Sequence, residues 1–107
     1  MDRASRRDML LEMLEKEPAD VFLNYTLAME YMASEEYQTA ETQLRKVLML
    51  DASHLPCFYQ LGKVSEQLGN PEKALAYYKQ GLELAQKQGN KKALGELNEA
   101  IWMLEED

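Results

Sequence analysis

Residues 21–54, VFLNYTLAMEYMASEEYQTAETQLRKVLMLDASH, and residues 55–88, LPCFYQLGKVSEQLGNPEKALAYYKQGLELAQKQ, are two copies of one 34-residue pattern. Laid over one another, Tyr25 falls on Tyr59, Leu27 on Leu61, Ala40 on Ala74, Leu48 on Leu82 and Leu50 on Leu84. A period of this length marks a helical-repeat architecture, whose units bury their apolar faces only against each other. The question becomes what the chain holds rather than what reaction it performs.

Working outward, apolar periodicity predicts six helices. The first spans about Ser5 to Glu17, with Met9, Leu10, Met13 and Leu14 on one face and Ser5 with Asp8 as a capping pair. Pro18 stops it or opens the next. The second spans about Asp20 to Ala33 and is apolar on more than one side, so it must contact partners on two faces. The third spans about Glu36 to Leu50, with Tyr37, Ala40, Leu44, Val47 and Leu48 inward. The fourth runs from His54 to Leu68, with Pro56 in its first turn and Gly69 after its end. Asn70 and Pro71 then start the fifth, which runs to about Lys87 with Ala74, Tyr77, Tyr78, Gly81 and Leu82 inward. Gly89 and Asn90 repeat that stop and start. The sixth spans Lys91 to Glu105, with Ala93, Leu94, Leu97, Ala100, Ile101 and Leu104 on one stripe. Short loops between such helices force antiparallel neighbours.

Composition agrees. The 107 residues are 46% hydrophobic and 29% charged, a globular balance. The net charge of −7 favours solubility and disfavours nucleic acid, whose phosphates reward Lys and Arg. Arg3, Arg6 and Arg7 form a short basic cluster that reads as a solvated first turn. They oppose the dipole of their own helix, as Glu105, Glu106 and Asp107 do at the other end, so both termini should fray. The single cysteine, Cys57, permits no intrachain disulfide, and no zinc-type or other metal cluster is spaced in the chain. No stretch approaches the roughly 18 apolar residues of a membrane span. The expectation is a cytoplasmic protein with no membrane or nucleic-acid partner and no cofactor.

The two copies resemble the tetratricopeptide repeat family. Its unit wants large and small residues at fixed places, so that helices approach closely and the gaps are filled. The second copy supplies Phe58, Leu61, Gly62, Gly69, Ala74, Tyr78 and Gly81 at such places and departs with Ser65, Pro71 and Gln86. The first supplies Leu27, Ala28, Tyr31, Tyr37, Ala40 and Leu44 and departs with Asn24, Glu35, Val47 and Ala52. Glu35 stands where Gly69 stands in the second copy. If that turn keeps a left-handed residue, a non-glycine costs about 1 kcal/mol. The resemblance implies an all-α fold, an antiparallel helix-hairpin stack wound as a right-handed superhelix. It implies one domain over 1–107: a half-repeat helix at 5–17, repeats at 21–54 and 55–88, and a capping helix at 91–105.

It also implies a function, that of a non-catalytic scaffold module binding a peptide or partner helix in a concave groove. The groove positions fall on Phe22, Tyr25, Met29 and Met32, then on Pro56, Tyr59, Lys63 and Glu66, with Ala93 and Leu97 closing the far edge. Flexible thioethers and rigid phenols suit apolar anchors of a helical or extended peptide. The alternative is that the first helix buries Phe22, Tyr25 and Met29 as core. Some family members clamp acidic chaperone tails with Lys and Asn. The matching positions here hold Tyr25, Met29 and Gln60, and only Lys63 is cationic, so no such clamp is expected.

The rival expectation is self-association as a homodimer, because about three stacked units are usual for stability. An enzyme is disfavoured: there is no phosphate loop, paired-acid site or triad. His54 and Cys57, three residues apart near a helix start, read as a surface histidine beside a small core cysteine rather than a nucleophile pair, for want of an orienting third group. The seven methionines read mostly as gap-fillers, Met29 and Met32 excepted. Trp102 reads equally as an exposed anchor or as packing on the fifth helix.

Overall fold

Helix starts are written in the sequence as short polar side chains that accept an orphan backbone N–H. Asp2 accepts from the Ser5 amide at 2.9 Å, Asp20 from Leu23 at 2.8 Å, Asn70 from Lys73 at 3.1 Å and Asn90 from Ala93 at 3.0 Å. The computed structural model describes residues 2–106, which form six helices and no strand. These are α1 (Arg3–Lys16), α2 (Val21–Ala33), α3 (Tyr37–Leu50), α4 (Leu55–Gln67), α5 (Pro71–Gln88) and α6 (Lys91–Glu105). No helix among them is long and apolar enough to cross a membrane. One cap differs from expectation. Asp2 rather than Ser5 opens α1, so that helix starts two residues earlier, and the Ser5 amide holds the Asp2 carboxyl below the usual carboxylate range. Pro18 lies in the turn between α1 and α2.

Three helix ends share one motif. The amide of Glu36 bonds Tyr31 O at 2.9 Å, that of Asn70 bonds Ser65 O at 2.9 Å and that of Asn90 bonds Ala85 O at 3.0 Å. Each requires a left-handed residue just before the donor. Gly69 at φ +77° and Gly89 at φ +66° meet this freely, while Glu35 meets it at φ +60° with a side chain attached. The first repeat therefore keeps the glycine turn without the glycine.

The chain divides into two compact units, one ending at Ala52 and one beginning at Ser53. In the first, α1 meets α2 through Leu10, Leu23 and Leu27, with Leu14 and Tyr31 beside them. Ala28, Ala40, Leu44 and Val47 are fully buried in α2 and α3. Asn24 is also fully buried. Its Nδ2 donates to Pro18 O (3.0 Å) and Asp20 O (2.7 Å), and its Oδ1 accepts from Gln43 Nε2 (2.7 Å). A position the family fills with an aromatic here ties α2 to the preceding turn and to α3, and its polar atoms are satisfied as burial demands.

In the second unit, α5 lies between its neighbours, and Leu55, Ala74, Tyr78, Ala85, Leu97, Ala100 and Ile101 form the core. A Cβ on Gly62 would fall 2.1 Å from Tyr78 Cε1, so the glycine of α4 makes room for the tyrosine of α5. A Cβ on Gly81 would meet Phe58 Cβ at 3.0 Å and Leu97 Cδ2 at 3.2 Å, which brings α4 and α6 close to α5.

Two expectations are corrected. The arginines of α1 are not merely solvated. Arg3 Nη1 donates to Ala33 O at 3.0 Å, Arg6 pairs with Glu30 at 3.0 Å, and Arg7 bonds Ser34 Oγ at 3.2 Å and the Glu36 carboxylate. The Arg7 guanidinium also lies 4.8 Å from the Tyr31 ring centroid. Because α1 runs antiparallel to α2, charges unfavourable for the α1 dipole sit at the carbonyl end of α2, where they are favourable. The methionines are not gap-fillers either: among the described residues Met9, Met13, Met49 and Met103 are exposed, and Met29 and Met32 are half-buried.

Candidate functional site

On α4, Tyr59 and Lys63 are one helical turn apart and so share a face. The Lys63 ammonium lies 5.4 Å from the centroid of the Tyr59 ring, a cation–π contact. The same ring also meets the core, 5.9 Å from the Tyr78 ring at 45°. Tyr59 is therefore held in place from within while remaining half-buried. Between α4 and α6 lies a small cleft of about 90 Å³, lined by Tyr59, Lys63, Glu96, Glu99, Ala100 and Met103.

Glu66, three residues beyond Lys63, is exposed, and its carboxylate accepts a hydrogen bond from the Tyr78 hydroxyl. Burial first, and that bond second, push the Tyr78 phenol well above the ordinary tyrosine range. Pro56 is exposed at the start of the helix. Ala93 and Leu97 do not line the cleft: Leu97 is 2% exposed and belongs to the core, with Ala93 packed against it. The lining residues of α6 sit instead at 96, 99, 100 and 103. That spacing is a helical stripe, but it mixes two carboxylates with two apolar side chains, so apolar periodicity passes over it.

In the first unit, α1 covers Leu23, Leu27 and Tyr31 and leaves Phe22 74% exposed. Tyr25, Met29 and Met32 are half-buried on α2. Cys57 is fully buried and His54 half-buried at the cap of α4, so the thiol has no path to a substrate. Among the described residues no group of three or more His, Cys, Asp or Glu could hold a metal ion. What these faces offer is aromatic and thioether surface with a few charges.

A family model described as tetratricopeptide repeat matches residues 23–54 and again 55–88. The chain belongs to the tetratricopeptide repeat family. Its all-α helix-hairpin architecture agrees with solved structures. The solution structure of protein BPP2914 from Bordetella parapertussis is 26% identical, with a TM-score of 0.86 over 94% of this chain and 87% of that one. The first tetratricopeptide domain of Spaghetti (RPAP3), bound to the HSP90 peptide SRMEEVD, is 22% identical, with a TM-score of 0.77 over 95% and 79%. Anaphase-promoting complex subunit 3 of Dictyostelium discoideum is 32% identical over 83 residues, which are 78% of this chain. This tetratricopeptide chain spans only 9% of that relative's length.

Proposed function

We propose that this chain is a non-catalytic, cytoplasmic interaction module that captures a peptide or partner helix on the first-helix faces of its repeats. The residues are Phe22, Tyr25, Met29 and Met32 on α2 and Tyr59, Lys63 and Glu66 on α4. The tetratricopeptide fold is a protein–protein interaction module, and two of the three proteins named above keep company with other polypeptides: one with an HSP90 peptide, the other as a subunit of a complex. The observation that carries the reading is half-buried Tyr59, in contact with the core at Tyr78 and with Lys63 and lining a cleft. A rigid aromatic at the lip of a cleft loses little entropy when a partner covers it.

The ligand differs in chemistry from the peptide SRMEEVD. Tyr25, Met29 and Gln60 stand at the clamp positions, and the cleft of the second unit carries Glu96 and Glu99 beside the lone Lys63. Apolar anchors, with neutral or basic neighbours, fit such a surface better than acids do. A pull-down with wild type against Tyr25→Ala/Tyr59→Ala tests this. Loss of the captured proteins supports the surface, and an unchanged set overturns it. An acidic chaperone tail should not bind at physiological salt, and measurable binding would remove the argument about charge. A second reading, self-association, is favoured by the apolar side chains left exposed on α1 and α6, Met9 and Met13 on one and Trp102 and Met103 on the other.

A further inference from the structure

α1 and α6 each fill half of a repeat unit. Moved 34 residues along, Arg3–Lys16 falls on Tyr37–Leu50 from end to end, so α1 has the register of a second helix. α6 has the register of a first helix. With α5 18 residues long against 14 for α3, the match to α4 comes at a shift of 36, which lays buried Leu97 on buried Leu61.

Within a unit, the two helices meet through particular places. On second helices these are Gln43, which bonds Asn24 of α2, and Gly81, which faces Phe58 of α4. Their counterparts on α1 are Met9 and Met13, 48% and 47% exposed. On α4 they are Gly62, against the Tyr78 ring, and Glu66, against its hydroxyl. Their counterparts on α6 are Asn98, exposed, and Trp102, 61% exposed. α1 therefore presents thioethers on its first-helix face, and α6 presents an indole on its second-helix face, a favourable sulfur–aromatic pairing.

The charges agree. In a repeat hairpin the C-terminal end of the first helix adjoins the N-terminal end of the second. α6 ends at Glu105, which pairs with Lys79 at 3.8 Å, with Glu106 as its cap; α1 begins with Arg3, Arg6 and Arg7, which also hold the carbonyl end of α2. Each end has the wrong sign for its own dipole and the right sign for the other helix's.

We propose that α1 of one copy docks against α6 of the next, head to tail, so that two chains together complete a repeat unit. This rests on the self-association reading and narrows it. The two faces differ, so the contact is heterologous, and each added copy leaves one α1 face and one α6 face open for growth or ring closure. The contact does not use the α2 and α4 faces assigned to a peptide partner.

Sedimentation and light scattering across a concentration series test it, with two variants of the full 107-residue chain: Met9→Glu/Met13→Glu and Trp102→Ser. Wild type should grow in mass with concentration, and less so at high salt. Each variant alone should weaken association about tenfold or more. Mixing the two should restore a one-to-one complex, because one carries an intact α6 and the other an intact α1. A wild type that stays a single chain up to about millimolar concentration overturns the self-association reading and this proposal with it. A dimer that a variant abolishes and mixing does not restore keeps self-association but overturns the head-to-tail contact. Association that survives both variants overturns these faces. Circular dichroism checks the fold of each variant. If the α1 variant loses helicity, Glu105→Lys/Glu106→Lys replaces it as the weakening change, and no weakening there counts against the contact.

Discussion

Where the first repeat places Ala28 on α2 and Leu44 on α3, the second places Gly62 on α4 and Tyr78 on α5, and all four are buried. Where the second sets Phe58 on α4 against Gly81 on α5, the first carries Asn24 and Val47. The helices of both units thus pass one another with reciprocal allotments of bulk: a methylene or ring added on one is removed from the other. Interiors packed near crystal density allow this exchange and little else. The difference teaches that a repeat is conserved here as a sum of volumes across two positions, and that neither position is fixed alone. The first unit adds a second lesson. By replacing an aromatic with Asn24 it exchanges apolar bulk for hydrogen bonds to Pro18, Asp20 and Gln43, and so fastens the entry turn that leads from α1.

The strongest way to break this comparison is Gly62→Ala. The new methyl cannot coexist with the Tyr78 ring where it stands, and a loss of about 3 kcal/mol in urea or thermal unfolding is expected. Gly62→Ala/Tyr78→Leu rebuilds the pairing of the first repeat inside the second. It should be less destabilised than the sum of its single changes by about 1 kcal/mol or more, and strict additivity would refute reciprocal packing. Next in size is Asn24→Ala, which leaves buried carbonyls and the Gln43 amide without their partner. It should lower stability by about 2 kcal/mol, seen as a shifted urea midpoint at unchanged slope.

Smaller, and opposite in sign, is Glu35→Gly. It gives the first repeat the residue the second has at φ +77° and should stabilise by about 1 kcal/mol. Gly69→Glu should cost a similar amount. If neither moves the denaturation midpoint, the left-handed turn carries no strain. The smallest effect at neutral pH belongs to Tyr78. Its phenol titrates higher folded than unfolded, so the neutral form contributes stability that is fully present below the ordinary value of 10.0 and falls away as pH rises above it. The difference between wild type and Tyr78→Phe, followed by pH-dependent unfolding, should shrink over that range. A constant difference would mean that the phenol is not held protonated by its site. Leu44, its counterpart in the first repeat, has no proton to lose, so the two repeats differ at this position.

Much of the fold was legible because its signals are local. Asp20, Asn70 and Asn90 cap the helix that follows within three residues, Gly69 and Gly89 end the one before, and the stripe of α6 is visible in its own spacing. The shift of 34 that joins Tyr25 to Tyr59 needs only the chain itself. The surface was less legible. The candidate residues on α2 and α4 follow from repeat register, but Glu96, Glu99 and Met103 enter the cleft only because α6 lies beside α4.

What the sequence determined alone, then, is the number of helices, most of their ends and the family, since capping, turn chemistry and periodicity act over a few residues. What only the tertiary structure decided is where long polar side chains go. Arg6 reaches Glu30, Gln43 reaches Asn24 and Glu66 takes the Tyr78 hydroxyl. Each choice depends on a partner 12 to 24 residues away, and sequence spacing carries no record of which of several nearby acids, amides or phenols packing will bring within reach.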